Sequence, residues 1–288
     1  MRHHGNSASA RRTTGNTFNV NLYAEEGGSG TDLLVLLHGL GATGAVWAPL
    51  LEIIGTRSAS SVSANRPIGS AAPAWHGRWF VPDLPGHGNS PRALRYSVED
   101  AALAVGDALS GRVVPGERIV VLGHSFGGAI ALALASGRFG IQPSVVLGVG
   151  IKLTWRDEEL ARMRSLAAQP AKRFSSEAEA WERYLKVSGL HGLAGPDSRV
   201  AARGIVRDGD AWVLAMDPAA NDAGKPAFAA LMEDARCPVH LARGGRDPLV
   251  SLEDKRALDP AARDLGAHGH NVLVESAETL WAWAEPFL

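Results

Sequence analysis

Residues 123–128 read Gly123-His124-Ser125-Phe126-Gly127-Gly128. They follow directly on an apolar, β-branched run at 118–122 and lead directly into an Ala/Leu-rich stretch at 129–136. The first has the composition of a strand buried on both faces, the second that of a helix. A chain that passes from strand to helix within so few residues must turn sharply. The residue at the centre of such a turn is held in strained backbone geometry, and small neighbours are needed to avoid clashes, which Gly123 and Gly127 supply. The turn lifts the Ser125 hydroxyl above the sheet. It also aims the free amides of the next helix, at the positive end of its dipole, at whatever binds there.

On both sides of this turn, short apolar runs alternate with helix-like segments, the pattern of a parallel sheet covered by helices. The runs fall at 33–37, 79–82, 118–122, 144–149 and 239–242, and the helical segments at 45–54, 98–109, 129–136 and 277–287. Two stretches break the rhythm. Residues 57–77 are rich in Ser, Ala and Pro without periodicity, which predicts a long surface loop inserted before the strand at 79. Residues 151–225 carry helical pattern at 156–168 and 176–187, then two extended pieces near 204–206 and 212–216 joined through Asp208-Gly209-Asp210. That reads as a helical cap inserted between two strands. The expected fold class is α/β, a doubly wound, mostly parallel sheet. Its parts are a flexible tail at 1–17, a core formed by 18–150 and 226–288 with the loop at 57–77, and a cap at 151–225.

Composition excludes several functions. Of 288 residues 45% are apolar and 20% charged, enough to bury a large core without disulfides or a structural metal. A formal net charge of -1 provides no field for nucleic acid or an anionic membrane. The single cysteine, Cys237, precludes an internal disulfide and reads as a small buried apolar residue, which fits a reducing compartment. The polar tail lacks a signal-peptide core, and no uninterrupted apolar run reaches about 18 residues, so the expected location is cytoplasmic. The glycines at 39–44 lack both the Lys-Ser/Thr of a phosphate loop and dinucleotide-site spacing. His38, His87 and His124 read as loop-stapling or packing residues rather than metal ligands. The expectation is therefore no metal, no organic cofactor and a small-molecule substrate.

Three further motifs stand in order around the serine turn: His38-Gly39-Leu40-Gly41, Pro82-Asp83-Leu84-Pro85-Gly86-His87-Gly88 and Gly269-His270-Asn271-Val272. With them the chain from Leu33 onward, the 57–77 insertion excepted, resembles the α/β-hydrolase superfamily, and within it the cap-bearing serine esterase and lactonase-like group. A serine hydroxyl needs a neighbouring base, and that base needs a carboxylate to fix its tautomer. In this superfamily the three follow the order nucleophile, acid, base. His268 and His270 both lie late enough; the resemblance favours His270, whose glycine-preceded loop matches the family's base-bearing loop. It also implies that the acid is Asp247, in the loop Gly244-Gly245-Arg246-Asp247-Pro248 after a strand. Asp254 is the fallback, although it falls where a helix should begin.

The resemblance further assigns the oxyanion donors to the backbone N–H groups of Phe126 and Leu40. Large apolar side chains concentrate in the cap, and Trp155, Trp181, Tyr184 and Trp212 are candidates to roof a mostly apolar cavity. The implied activity is hydrolysis of an ester, lactone or related acyl bond. Ser125 sets the chain apart from dehalogenases and epoxide hydrolases, which use aspartate at the turn. Thioester hydrolysis, perhydrolysis and C–C bond hydrolysis use the same triad. The last would call on Arg156, Arg162 and Arg164 to grip a carboxylate, although these also fit a solvated helix face. An aminopeptidase-type relative would use Asp157, Glu158 and Glu159, which equally suit a helix N-terminus. From another class, a ligand-binding or receptor protein would keep the pocket without useful turnover.

Overall fold

A computed structural model describes residues 21–59 and 75–288. The expected tail at 1–17 and most of the expected loop at 57–77 lie outside the described residues.

Seven strands form one sheet: β1 (Ala24–Gly28), β2 (Leu33–Leu37), β3 (Arg78–Pro82), β4 (Ile119–His124), β5 (Val145–Val149), β8 (Val239–Arg243) and β9 (Arg263–Asp264). Their order is β1-β3-β2-β4-β5-β8-β9, parallel throughout except for β1, which runs antiparallel to β3. The other two strands, β6 (Ile205–Asp208) and β7 (Ala211–Leu214), pair only with each other. Every residue of β2, β4 and β5 is buried, which explains their unbroken apolar runs. Alternate residues enter opposite cores: Leu33, Val35 and Leu37 join one, Leu34 and Leu36 the other.

Two elements of the sheet were not expected from sequence. The β1 sequence, Ala-Glu-Glu-Gly-Gly, has no apolar run. It is a strand because its backbone completes a ladder with β3 at the sheet edge. Strand β9 spans only two residues.

The helices are α1 (Ala48–Ala59), α2 (Val98–Leu109), α3 (Phe126–Leu134), α4 (Asp157–Ala167), α5 (Glu177–Val187), α6 (Phe228–Glu233), α7 (Leu252–Leu258), α8 (Val272–Glu275) and α9 (Ala277–Ala284). Helices α2 and α3 pack in one core and α9 in the other, so both faces of the sheet are covered. The expected helix at 45–54 divides into a 3-10 turn, Gly44–Trp47, begun by the Thr43 side chain accepting from the Ala45 N–H, and then α1. Helix α1 extends to Ala59, past the expected loop start at 57. Beyond the undescribed stretch, Trp75 is buried and its indole N–H donates to the Arg78 carbonyl at 3.1 Å.

Between β5 and β8 the chain makes two groups of contacts. Helix α4 packs against the 3-10 turn Pro218–Asp222. Helix α5 packs against the β6–β7 hairpin and sends Tyr184 and Leu185 into the same core as Trp47 and Leu50. At α6, Phe228 and Leu231 rejoin the core of α2 and α3.

Candidate active site

Ser125 joins β4 to α3 with φ 52 and ψ -115, one of two non-glycine residues of positive φ among those described. A β-carbon on Gly123 would stand 2.2 Å from the Gly127 carbonyl oxygen, and one on Gly127 would stand 2.3 Å from that of Leu37. Both contacts are with backbone, which has nowhere to go, so the tight turn admits only glycine at these two places. A serine at a helix N-terminus ordinarily caps it. Here the side chain makes no capping hydrogen bond, because the backbone twist carries the hydroxyl away from the first turn.

The Asp247 loop leaves β8. Tight backbone bonds fold it, from the Asp247 N–H to Gly244 at 3.0 Å and from the Arg246 N–H to His268 at 2.8 Å. Asp247 is 4% exposed. One carboxylate oxygen accepts from the Leu249 N–H at 2.8 Å, and the other lies 2.8 Å from His270 Nδ1. That contact requires Nδ1 to carry the hydrogen, the tautomer in which the Nε2 of a neutral ring has a lone pair. The His270 loop is held in turn by Glu275, which accepts the Gly269 N–H at 2.7 Å, and by His124 Nε2, 2.9 Å from the His270 carbonyl oxygen. His268 lies 3.4 Å from the Thr279 hydroxyl instead. Asp254 accepts from the Thr154 hydroxyl at 2.7 Å, near the start of α7.

Two buried histidines shape the loop that carries Leu40. His38 Nδ1 donates to the Gly39 carbonyl at 2.8 Å, and its Nε2 accepts the Leu84 N–H at 2.9 Å. His87 Nδ1 donates to Pro85 at 3.0 Å, and its Nε2 accepts the Gly41 N–H at 3.1 Å. Each ring serves as donor on one side and acceptor on the other, so each must be neutral. Burial supplies the reason: it lowers the pKa of His38 to about 3 and lowers that of His87, and it holds that of His124 well below the usual histidine value. Among the described residues, the N–H groups of Leu40 and Phe126 have no acceptor.

Ser125, His270, Leu40 and Phe126 line one cavity of about 140 Å³. Of the four aromatic residues expected in a roof, Trp155 lines it, alongside Met163. Trp181, Tyr184 and Trp212 do not. Tyr184 is buried under Gly204 with Trp181 against it edge-on at 5.8 Å, and Trp212 lies beneath the Arg207 guanidinium at 5.3 Å. Further lining comes from Asn221 in the 3-10 turn Pro218–Asp222 and from the irregular chain after it, with Gly224 and Pro226, whose polar, small-residue sequence carries no periodic signal.

Lys255 of α7 is the charged residue that sequence reasoning missed. It is fully buried and donates to the Ile151 carbonyl at 2.9 Å. Burial pulls its pKa down to about 7 against the opposing charge of Asp247. In sequence it sits in Leu-Glu-Asp-Lys-Arg, which reads as a solvated helix. The Cys237 thiol is pushed up to about 11 by burial, consistent with an inert packing residue. Among the described residues, no group of three or more His, Cys, Asp or Glu side chains is arranged to hold a metal ion.

The model of the Alpha/beta hydrolase family matches residues 34–283. The chain belongs to the α/β-hydrolase family. It is 31% identical over 169 residues to acyl-protein thioesterase 1 of Mycosarcoma maydis, covering 52% of this chain and 69% of that protein. It is 28% identical over 258 residues to the pimeloyl-[acyl-carrier protein] methyl ester esterase of Chromobacterium violaceum, covering 85% and 87% of the two chains. The crystal structure of E-2-(acetamidomethylene)succinate hydrolase superposes with a TM-score of 0.72 at 20% identity, covering 93% of this chain and 96% of the other. Among the described residues no helix of this α/β hydrolase is long and apolar enough to cross a membrane.

Proposed function

We propose that this α/β hydrolase cleaves an ester, thioester, lactone or related acyl bond of a mostly apolar small molecule through an acyl-enzyme on Ser125. One observation carries the reading: an uncapped serine hydroxyl at a strained strand–helix turn shares a cavity with a histidine whose far nitrogen is bonded to a buried carboxylate.

Ser125 Oγ attacks the carbonyl carbon while its proton passes to His270 Nε2. Asp247 holds the ring in the tautomer that can accept this proton and stabilises the imidazolium formed. The carbonyl oxygen becomes an oxyanion and receives the N–H groups of Leu40 and Phe126. The tetrahedral intermediate collapses, and the leaving alcohol or thiol departs with the proton from His270. Water then attacks the acyl-enzyme as its proton passes to His270, and collapse of the second tetrahedral intermediate releases the acid while His270 returns that proton to the Ser125 oxygen. No step calls for a metal or organic cofactor.

Thioesters belong within the reading because one curated relative bears a thioesterase name and the other an esterase name. The test is reaction with a fluorophosphonate probe, read by intact mass and peptide mapping, beside turnover of a chromogenic short-chain ester. Wild type should label at Ser125 and hydrolyse the ester, and Ser125→Ala should do neither. Absence of both in wild-type protein would favour a ligand-binding role.

A further inference from the structure

Phe126 belongs to two spaces. Its backbone N–H faces the oxyanion position proposed above, and its half-buried side chain lines both the Ser125 cavity and a neighbouring groove of about 270 Å³. The groove lies under the chain leading into α2 and along that helix, with Pro85, Tyr96, Ala101, Leu103 and Ala104 on its walls. Val98 and Ala129, next to these walls, line the Ser125 cavity, so the two spaces adjoin across the Phe126 ring. The 140 Å³ around Ser125 is small for a ligand site, which is usually about 300–1,000 Å³. The two spaces together reach that range. Leu94 at the groove is 86% exposed. Arg92 and Arg95 at the rim lie 3.9 and 3.7 Å from the carboxylates of Asp217 and Asp100, so neither charge stands uncompensated at the mouth.

We propose that this groove is the acyl-chain subsite: an unbranched aliphatic acyl chain passes the Phe126 ring from the Ser125 cavity and lies along α2. The direction follows from the sheet order. β5 and β8 lie on one side of β4, and β2 and β3 on the other. His270 sits beside Gly150, just after β5, whereas the groove begins at Pro85, just after β3, and follows α2. The leaving group must face His270 to take its proton. The acyl side of the same carbonyl therefore points the opposite way, past Phe126. Substrates with medium-length acyl chains are thus the favoured class.

This subsite rests on the assignment of Ser125 as nucleophile, and its test avoids turnover. Binding of methyl butyrate, methyl octanoate and octyl acetate to the Ser125→Ala protein is measured by calorimetry. Each buried methylene strengthens binding about fourfold, so methyl octanoate should bind at least ~10-fold more tightly than methyl butyrate. Leu94→Glu with Leu103→Glu, both at exposed positions, should bring that ratio below about 3 and spare octyl acetate. Ala104→Phe, which narrows the groove from its buried wall, should act in the same direction. Equal binding of the two methyl esters would overturn the proposal, as would a preference that survives the glutamates. Loss of octyl acetate binding to the same degree would assign the groove to the alcohol chain instead. Wild-type turnover of methyl butyrate is read separately: its absence would sink the hydrolase reading while leaving the chain preference measurable.

Discussion

Ser125 adopts a backbone conformation that costs a non-glycine residue about 1–3 kcal/mol. It is held there by the packed turn around it, with the Ser125 N–H donating to Val149 at 2.9 Å. What the strain secures is a hydroxyl that neither caps α3 nor joins the strand ladder. The matching constraint on His270 is electrostatic: Asp247, nearly solvent-free, accepts from its Nδ1. Asn at 247 would present an amide that donates as readily as it accepts, and the ring could then settle in the tautomer with Nε2 protonated. Asp247→Asn is accordingly expected to lower kcat by about 10⁴ while the fold is retained. A steady-state assay paired with thermal unfolding measures this, and full activity in the variant would move the acid elsewhere.

Loops need fastening, and here imidazoles fasten them. His38 and His87 tie the Leu40 loop to the chain that follows β3, and His124 ties the elbow to the His270 loop. All three are held neutral by burial, with pKa values below the ordinary histidine value of 6.5. Below that pH the unfolded chain takes up protons that the folded chain refuses, and the unfolded state gains. The stability these groups contribute is therefore present above about pH 6.5 and is lost as pH falls toward their folded values, near 3 for His38. Each group costs up to about 1.4 kcal/mol per pH unit within that window. The urea midpoint should fall steeply between about pH 6.5 and 4.5. In His87→Gln, whose amide both donates and accepts, the fall should be shallower; an unchanged slope would show that His87 does not contribute.

Across the whole molecule, the segment between β5 and β8 is tied to the core by Arg203. Its guanidinium donates to Asp83 at 3.0 Å, pairs with Glu25 of β1 and lies over the Tyr23 ring at 4.9 Å. Asp83 has no exposed surface and also accepts the Gly44 and Asn89 N–H groups, at 2.7 and 3.0 Å. One carboxylate thus joins the chain after β3, the turn before α1 and the inserted segment. Removing its cation leaves a buried charge short of a partner, so Arg203→Ala should cost about 3–5 kcal/mol in urea denaturation. Arg203 also has φ 64. Arg203→Gly should therefore unfold about 1 kcal/mol less readily than Arg203→Ala, since glycine accepts that conformation without penalty. The opposite ranking would show that the positive φ carries no strain.

Local pattern alone determined the parallel sheet and the serine turn. Strands β2, β4 and β5 are buried on both faces and so are written as unbroken apolar runs, and a strand–helix turn this tight can be made only with glycines at 123 and 127. The resemblance carried by the four motifs implied Asp247 and His270, and the fold brings the loops after β8 and β9 together so that these two side chains meet at 2.8 Å. Tertiary structure decided what composition could not. Trp155, Trp181, Tyr184 and Trp212 are equally apolar in sequence, yet only Trp155 reaches the cavity, since α5 and its hairpin turn inward to the core beside Trp47. Strand β1 exists through its ladder with β3, Lys255 is buried against a carbonyl 104 residues away in the chain, and the half-buried Arg203 is paired with a carboxylate 120 residues away. Burial and partnership of that kind are properties of distant segments meeting, and no local window of sequence contains them.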